Sequence, residues 1–283
     1  MLDVDPSRAP AEPRDAATVV LVRDEPGGGL SVFLVKRHGK SGFMAGAHVF
    51  PGGVLEPGDR GPILARLSGR TPERAAALLN EEDAERAIAL HVAALRETFE
   101  EAGLLVARDA ARLDLAQARR RLLASEITFE ALIHELQAEL QADALVPLAR
   151  WVTPIVEKRR SDARFFLARA PEGQIAEHDR VEVTAGEWLT PEDALAAWDS
   201  GTIQLAPPTL RTLEELAAFA TVEQALAHAA SRPPPLVQPV FRDLGGTWAL
   251  TLPGDPEHPE RERVLPGPTR FVLIDGRFQS REP

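Results

Sequence analysis

Three glutamates lie close together in one segment that has a helical pattern. On a helix, Glu97 and Glu101 are one turn apart and Glu100 lies beside them. Three carboxylates on one face repel one another, and a hard divalent cation such as Mg²⁺ would supply the missing positive charge. Arg96 can reach Glu100 at i+4 and hold its orientation. The alternative interpretation is a solvated, ion-paired helix face.

A glycine-rich turn precedes this segment at Phe50–Asp59 and contains Gly52 and Gly53. Glycines allow backbone carbonyl and N–H groups to come close to a metal ion or a phosphate. The turn therefore predicts a second part of an anion or metal site. An ordinary structural turn is the alternative.

Together the two segments resemble the Nudix box, G-x5-E-x7-REUxEExGU, in which U is a bulky aliphatic residue. The matching residues are Gly53, Arg96, Glu97, Glu100, Glu101, Gly103 and Leu104. The sequence departs from the pattern at Asp59, which replaces a glutamate, and at Thr98, which replaces an aliphatic residue. In addition, residues 60–95 separate the two halves, where the pattern has seven residues.

A box interrupted in this way resembles the Nudix branch that includes mammalian peroxisomal coenzyme A diphosphatases and their bacterial relatives. The segments Gly42–Leu55, Trp151–Pro154 and Arg164–Phe166 strengthen the similarity. The resemblance implies an α/β/α sandwich with a mixed sheet and a helical insertion at about 60–92. It also implies hydrolysis of a diphosphate in a nucleotide-linked small molecule, with CoA-like compounds, ADP-ribose, NADH and nucleotide sugars all open.

The resemblance further implies a site that holds Mg²⁺ or Mn²⁺. Glu97, Glu100 and Glu101 would be its ligands, together with a backbone carbonyl of Gly52 or Gly53, and Arg96 would belong to the catalytic group. Some Nudix enzymes add a glutamate six residues before a tryptophan. Glu182 has that spacing from Trp188, with Glu177 and Glu187 as rivals. Which acid acts as the general base stays open.

Several arginines are candidates for binding the substrate phosphates, because a guanidinium grips phosphate with two hydrogen bonds. Arg160, Asp162 and Arg164 alternate along a predicted strand and are expected to share one face. Arg37 follows another predicted strand and leads into the glycine-rich segment. The alternative for Arg160 and Arg164 is a structural ion-pair cluster.

Periodicity and breakers predict the elements that position these residues. Strands are predicted at 17–22 and 30–35, joined as a hairpin, and at 149–156, 163–170 and 181–189. Helical patterns cover 71–102, with a break near Asn80 and a stop at Gly103, then 115–141 with an interruption near Ser125, 191–199 and 208–230.

Composition narrows the function classes. A net charge of -11 argues against a nucleic-acid binder, which needs a basic face. The sequence has no cysteine, so thiolate chemistry is excluded, and no apolar run approaches the roughly 20 residues that span a bilayer. We expect a cytoplasmic protein with neither a membrane nor a nucleic-acid partner.

Domain boundaries are predicted from composition shifts. Residues 1–14 resemble a flexible tail, 15–231 a Nudix domain, and 232–283 a strand-rich extension that begins at a proline run. The extension carries three apolar, strand-like runs, which must cover the core, the substrate cleft or a second subunit. A homodimer is the expectation. Alternatives for the whole chain are a catalytically silent, nucleotide-binding Nudix sensor and a scaffold.

Overall fold

The structure, a computed structural model, describes residues 11–37, 46–178 and 183–283. Its strands are β1 (Arg14–Asp24), β2 (Leu30–Arg37), β3 (His48–Val49), β4 (Gly52–Val54), β5 (Leu67–Ser68), β6 (Leu140–Gln141), β7 (Val146–Val152), β8 (Ser161–Arg169), β9 (Val183–Leu189), β10 (Leu236–Val237), β11 (Val240–Asp243), β12 (Trp248–Thr251), β13 (Arg270–Ile274) and β14 (Arg277–Arg281). Its helices are α1 (Pro72–Leu79), α2 (Ala84–Ala102), α3 (Leu115–Leu123), α4 (Phe129–Glu135), α5 (Pro191–Asp199), α6 (Pro207–Leu216) and α7 (Val222–Ala230).

Within the described residues, a mixed sheet of eight strands forms the centre of the fold. Its order is β10-β7-β8-β1-β2-β3, with β4 also paired to β1 and β9 also paired to β2. β1 and β8 run parallel, with residues 14–22 paired to residues 161–169, whereas β1 and β2 form the predicted antiparallel hairpin. Because parallel strands need a long crossover connection, the segment between β1 and β8 has room for the insertion and four helices.

Alternation along the strands divides the core into two layers. Val19 and Leu21 of β1 pack in one hydrophobic cluster, with α1 to α4, while Val20 and Val22 pack in the other, with α5 to α7. Successive side chains of a strand point to opposite faces, so both faces of the sheet are covered by helices. This arrangement confirms the predicted α/β/α Nudix sandwich.

Capping residues set the bounds of α1, which lies within the predicted insertion, and of α2, which begins in it. The Thr71 side chain accepts from the Arg74 N–H at the start of α1, and Asn80 ends that helix in a left-handed conformation, at φ 53°. Asp83 caps α2, and Gly103 ends it at φ 72°. The predicted break near Asn80 and the predicted stop at Gly103 are both confirmed.

Other predicted bounds need correction. The helix expected over 208–230 is two helices, because Thr221 starts α7 as a new N-cap. The helical region expected up to 141 ends at Glu135, and β6 follows. The strand expected at 149–156 lies at Val146–Val152. β1 already begins at Arg14, inside the predicted tail.

In the segment 232–283, which is described throughout, β11 to β14 form a four-stranded antiparallel sheet and β10 joins the central sheet. The β13–β14 turn has positive φ at Asp275 and Gly276, as the predicted turn requires. Leu250 and Phe271 are buried against the layer of α5 to α7. The apolar runs of the extension thus cover the chain's own core.

The described residues contain no helix long and apolar enough to cross a membrane.

Candidate active site

Arg96 connects the two predicted halves of the site. Its Nε and Nη2 donate to the two carboxylate oxygens of Asp59, at 2.8 and 3.0 Å. Its Nη1 donates to Glu97 (2.7 Å) and Glu100 (3.1 Å), and Nη2 also donates to the Val54 carbonyl (2.9 Å). One guanidinium therefore fixes the loop before the insertion against the helix after it.

Asp59 is fully buried and has a second role in its own turn. The Glu56 N–H donates to its carboxylate at 2.7 Å, which completes a capping box around the short 3₁₀ turn Pro57–Asp59. The shorter acid at this box position therefore holds Arg96 and shapes the turn at once.

Gly52 and Gly53 are required as glycines because other parts of the chain come very close to their backbone. A side chain at Gly52 would meet the Ala17 carbonyl at 2.5 Å, and one at Gly53 would collide with the Glu97 carboxylate. The Gly52 N–H donates to Glu101 at 2.9 Å. Gly53 and Glu97 therefore lie close in space despite the insertion between them, as the resemblance to the box requires.

Negative charge exceeds positive charge around Arg96. Burial raises the pKa of Glu100, and the attraction of Arg96 offsets this only in part. For Arg96, burial acts to lower the pKa, but hydrogen bonding to Asp59 and the charge of Glu97 outweigh it and raise the pKa. A further cation would relieve the remaining repulsion among the carboxylates.

The donor set fits a hard divalent cation, although it is not arranged as a finished metal site. In the described part of the chain, no three carboxylate or histidine groups stand together as a metal-binding cluster. Nη1 of Arg96 bonds both Glu97 and Glu100, so these two carboxylates face the guanidinium. Carboxylates and a nearby glycine backbone are the oxygen ligands that Mg²⁺ prefers.

A cavity of about 800 Å³ meets this cluster at β4. Gly52 and Val54 line the cavity, whereas Gly53 between them faces Glu97. Its apolar lining includes Val49, Phe50, Trp151, Phe165, Pro207, Pro208, Pro239 and Leu250. Among the described lining residues, five are cationic (Arg14, Arg37, Lys158, Arg159 and Arg160) and one is acidic (Glu12).

Comparison with known proteins identifies the family. Residues 13–216 match the family described as the NUDT19 Nudix domain. The chain belongs to this Nudix family.

Named relatives agree with this assignment. The acyl-coenzyme A diphosphatase NUDT19 of Xenopus laevis is 27% identical, over 81% of this chain and 71% of the relative, and the Homo sapiens protein of that name is 29% identical, over 75% and 71%. A solved NUDIX hydrolase from Alicyclobacillus acidocaldarius superposes with a TM-score of 0.65 at 29% identity, covering 77% of this chain and 96% of that one. The chain is thus a Nudix hydrolase related to acyl-coenzyme A diphosphatases.

The Nudix box of this chain tolerates its departure at Thr98. The side chain is buried, and its hydroxyl donates to the Ala94 carbonyl at 2.8 Å, one turn back. Because that hydrogen bond satisfies the hydroxyl, threonine can occupy a position where the box has an apolar residue.

The predicted outside ligand, Glu182, lies outside the described residues. Of its rivals, Glu187 lies 3.6 Å from His48 through Oε1 and Nε2, and Glu177 uses its backbone carbonyl to accept from Arg119 at 2.7 Å. The structure places Glu97 beside Gly53 and Glu101 beside Gly52, whereas Glu100 contacts Arg96.

The predicted arginines separate into two groups. Arg37 and Arg160 line the cavity. Arg164 is buried and faces Asp162 and Glu81 in ion pairs, and it is not among the described residues that line the cavity. The expected shared face of Arg160 and Arg164 is wrong, because β8 begins at Ser161 and Arg160 therefore lies in the loop before the strand.

Two features of the Nudix site were missed from the sequence. Arg119 of α3 donates from Nε and Nη2 to the Glu100 carbonyl, at 2.9 and 2.6 Å, and so caps the end of α2. Lys158 and Arg159 join Arg160 on the cavity wall. The run of three basic residues at 158–160 was the available signal for the second feature.

Proposed function

We propose that this chain hydrolyses a diphosphate bond in a nucleoside-diphosphate-linked small molecule, with CoA-like compounds as the leading class. The observation that carries the proposal is the junction at β4, where the acidic face of α2 meets a cavity with a surplus of cationic side chains. Such a cavity suits a polyanionic ligand. The relatives are named acyl-coenzyme A diphosphatases, which favours CoA over ADP-ribose, NADH and nucleotide sugars.

Each residue has a distinct role in the proposed reaction. Glu97, Glu100 and Glu101, with a backbone carbonyl of Gly52 or Gly53, would hold Mg²⁺ or Mn²⁺. When bound, the metal would neutralise phosphate charge and lower the pKa of a coordinated water. Arg96 holds the carboxylates in place.

The remaining roles belong to the phosphate contacts and the proton acceptor. Arg37 would contact the diphosphate from the cavity wall, and Arg160 would contact a further anionic group of the same ligand. The proton of the attacking water would go to one of the α2 glutamates or to Glu182.

A panel assay tests the proposal. CoA, ADP-ribose, NADH and dinucleotide polyphosphates are incubated with Mg²⁺ or Mn²⁺ in ¹⁸O-labelled water, and the products are read by mass. For CoA, ADP-ribose and NADH we expect two phosphomonoester products, one of which carries the heavy oxygen, whereas a dinucleotide polyphosphate should give two nucleotides, one of them labelled. EDTA and the Glu101→Gln variant serve as controls that should abolish the signal.

A silent Nudix sensor would give a different pattern. The lack of a finished metal cluster in the described residues is the observation that favours this second candidate. The sensor hypothesis predicts that one compound of the panel binds saturably in calorimetry. That compound should give no product with either Mg²⁺ or Mn²⁺. Product formation would eliminate it.

A homodimer remains part of the proposal. Leu236 and Trp248 of the extension are large apolar residues that stay exposed, at 50% and 39%. A second subunit that packs on the extension would remove both side chains from water. Light scattering at micromolar concentration should give twice the chain mass of 30.7 kDa, and a mass equal to one chain would contradict the dimer.

A further inference from the structure

A cationic rim closes one end of the cavity, and the roles proposed above do not account for most of it. The rim consists of Arg14, Lys158, Arg159 and Arg160. Lys158 and Arg159 are exposed. Since the whole chain has a net charge of -11, this grouping departs from the character of the chain and needs a reason.

Backbone hydrogen bonds hold the rim in position. The Arg14 N–H donates to the Arg160 carbonyl at 2.9 Å, which ties the start of β1 to the loop before β8. Arg160 donates from Nε to the Thr153 carbonyl at 3.1 Å and from Nη1 to the Ala11 carbonyl at 2.7 Å. The Ser161 N–H donates to the Thr153 hydroxyl at 2.9 Å, which closes the loop. The loop between β7 and β8 therefore presents its charges from a fixed frame.

The rim lies away from the place where the diphosphate is expected. Thr18 of β1 pairs with Gly52, and Arg14 pairs with Ser161, four residues earlier on the same strand. At the rise of a strand, this separation is roughly 13 Å. One diphosphate beside Gly52 and Gly53 does not extend over that distance. The rim is thus placed to meet a different anionic group.

The floor between the two places is apolar. Trp151 pairs with Ala163 across β7 and β8, Phe165 lies two residues further along, and all three line the cavity. An uncharged part of the ligand, such as a base and sugar, fits such a floor, because aromatic side chains offer flat apolar surface. The cavity therefore suits a ligand with anionic groups at both ends of an uncharged middle.

We infer that the rim binds a phosphomonoester on the substrate, remote from the diphosphate bond that is cleaved. This inference rests on the proposed function, since it names a second recognition point in the same cavity. A phosphomonoester carries a charge of about -1.5 to -2 at neutral pH and offers three acceptor oxygens. Several lysine and arginine side chains within one loop match that charge and that number of acceptors.

The test compares two substrates that differ only in this group, CoA and dephospho-CoA. The Lys158→Gln/Arg159→Gln double variant removes two exposed charges, so it should fold. We expect the wild type to prefer CoA in kcat/KM, and the variant to lose about tenfold or more of this preference, mainly through a higher KM for CoA. The KM for dephospho-CoA should change much less.

A matched control removes the same kind of charge elsewhere. Arg112→Gln acts on an arginine that is 81% exposed and is not among the described residues lining the cavity. It should leave the CoA preference unchanged. An equal loss for both substrates in the double variant would overturn the inference in favour of general attraction of anions, and so would an unchanged preference.

Binding of a fragment separates this inference from the proposed function. If neither substrate is cleaved, the diphosphatase proposal fails, and calorimetry with adenosine 3′,5′-bisphosphate and adenosine 5′-monophosphate still tests the rim. The inference is supported if the wild type binds the bisphosphate more tightly than the monophosphate and the double variant loses this difference. Equal binding of the two fragments by the wild type overturns it.

Discussion

Two clusters of charged side chains surround buried arginines, and they differ in charge balance. Around Arg96 the acids outnumber the cation, with Asp59, Glu97 and Glu100 all bonded to it. Around Arg164, the described side chains comprise three cations and three acids, namely Arg86, Arg150, Arg164, Asp15, Glu81 and Asp162. The first cluster has a surplus of negative charge, and the second is neutral.

The pKa values follow this difference. Burial raises the pKa of Glu100, and Arg96 does not fully compensate. Burial also acts to raise the pKa of Asp162, but the hydrogen bond from Arg150 and the charge of Arg164 outweigh it and leave the pKa lowered. The balanced cluster is stabilised by its own members and serves the fold, whereas we propose that a bound cation completes the cluster with surplus charge.

The largest expected effect comes from unbalancing the neutral cluster. Arg164→Met leaves Glu81 and Asp162 short of a buried partner, so the free energy of unfolding should fall by about 3–5 kcal/mol. Urea unfolding measures the change, with exposed Arg112→Gln as a control that should stay within about 0.5 kcal/mol of wild type. Unchanged stability combined with a strongly raised substrate KM would instead restore Arg164 as a phosphate contact.

Low pH should destabilise the fold by protonating a buried histidine in the layer that contains α1 to α4. His91 of α2 is fully buried, with Nδ1 2.8 Å from the Ala87 carbonyl and Nε2 3.4 Å from Arg70 Nη1. Burial lowers its pKa from 6.5 to about 4. The unfolded chain therefore takes up this proton at higher pH than the folded chain. The associated stability is fully present above pH 6.5 and is lost as the pH falls towards 4.

The loss assigned to His91 amounts to about 3 kcal/mol over this range. Urea unfolding of the wild type and of His91→Gln between pH 7 and pH 4 isolates this loss of stability, because the carboxylates of the chain titrate equally in both proteins. The wild type should lose more stability than the variant. Parallel pH profiles would show that His91 can be protonated in the folded state.

Removing a carboxylate from the surplus cluster should affect activity and leave the fold intact. Glu100→Gln and Glu101→Gln should each lower turnover at least about a hundredfold, or roughly 2.7 kcal/mol in transition-state stabilisation. Stability should change little, since each substitution relieves repulsion while keeping an acceptor oxygen. Steady-state kinetics on the substrate found in the panel measures the effect, and full activity in either variant would remove the metal assignment.

The sequence was sufficient wherever local chemistry decides the outcome. The Thr71 cap, the break at Asn80 and the stop at Gly103 follow from residue type alone, and the structure has all three. The proximity of Gly53 and Glu97 was also predictable, because the resemblance to the box requires it.

Long-range pairing explains what could not be predicted. Asp59 looked like a departure from the box until its bidentate contact with Arg96 was seen. The opposite positions of Arg160 and Arg164 depend on β8 starting at Ser161, and strand ends are poorly marked in sequence. From its sequence, the extension could cover the core, the cleft or a second subunit. Only its packing in the structure shows that it covers the core and lines the cavity.

The smallest expected effect is the stabilisation of the folded state by bound Mg²⁺. A metal that binds only the folded state stabilises it by about 1.4 kcal/mol at ten times its Kd. Unfolding of the wild type followed against Mg²⁺ concentration at constant ionic strength should show this rise. The rise should disappear in a Glu100→Gln/Glu101→Gln double variant. A rise of equal size in the double variant would mean that Mg²⁺ binds elsewhere, and the surplus around Arg96 would then not be the metal site.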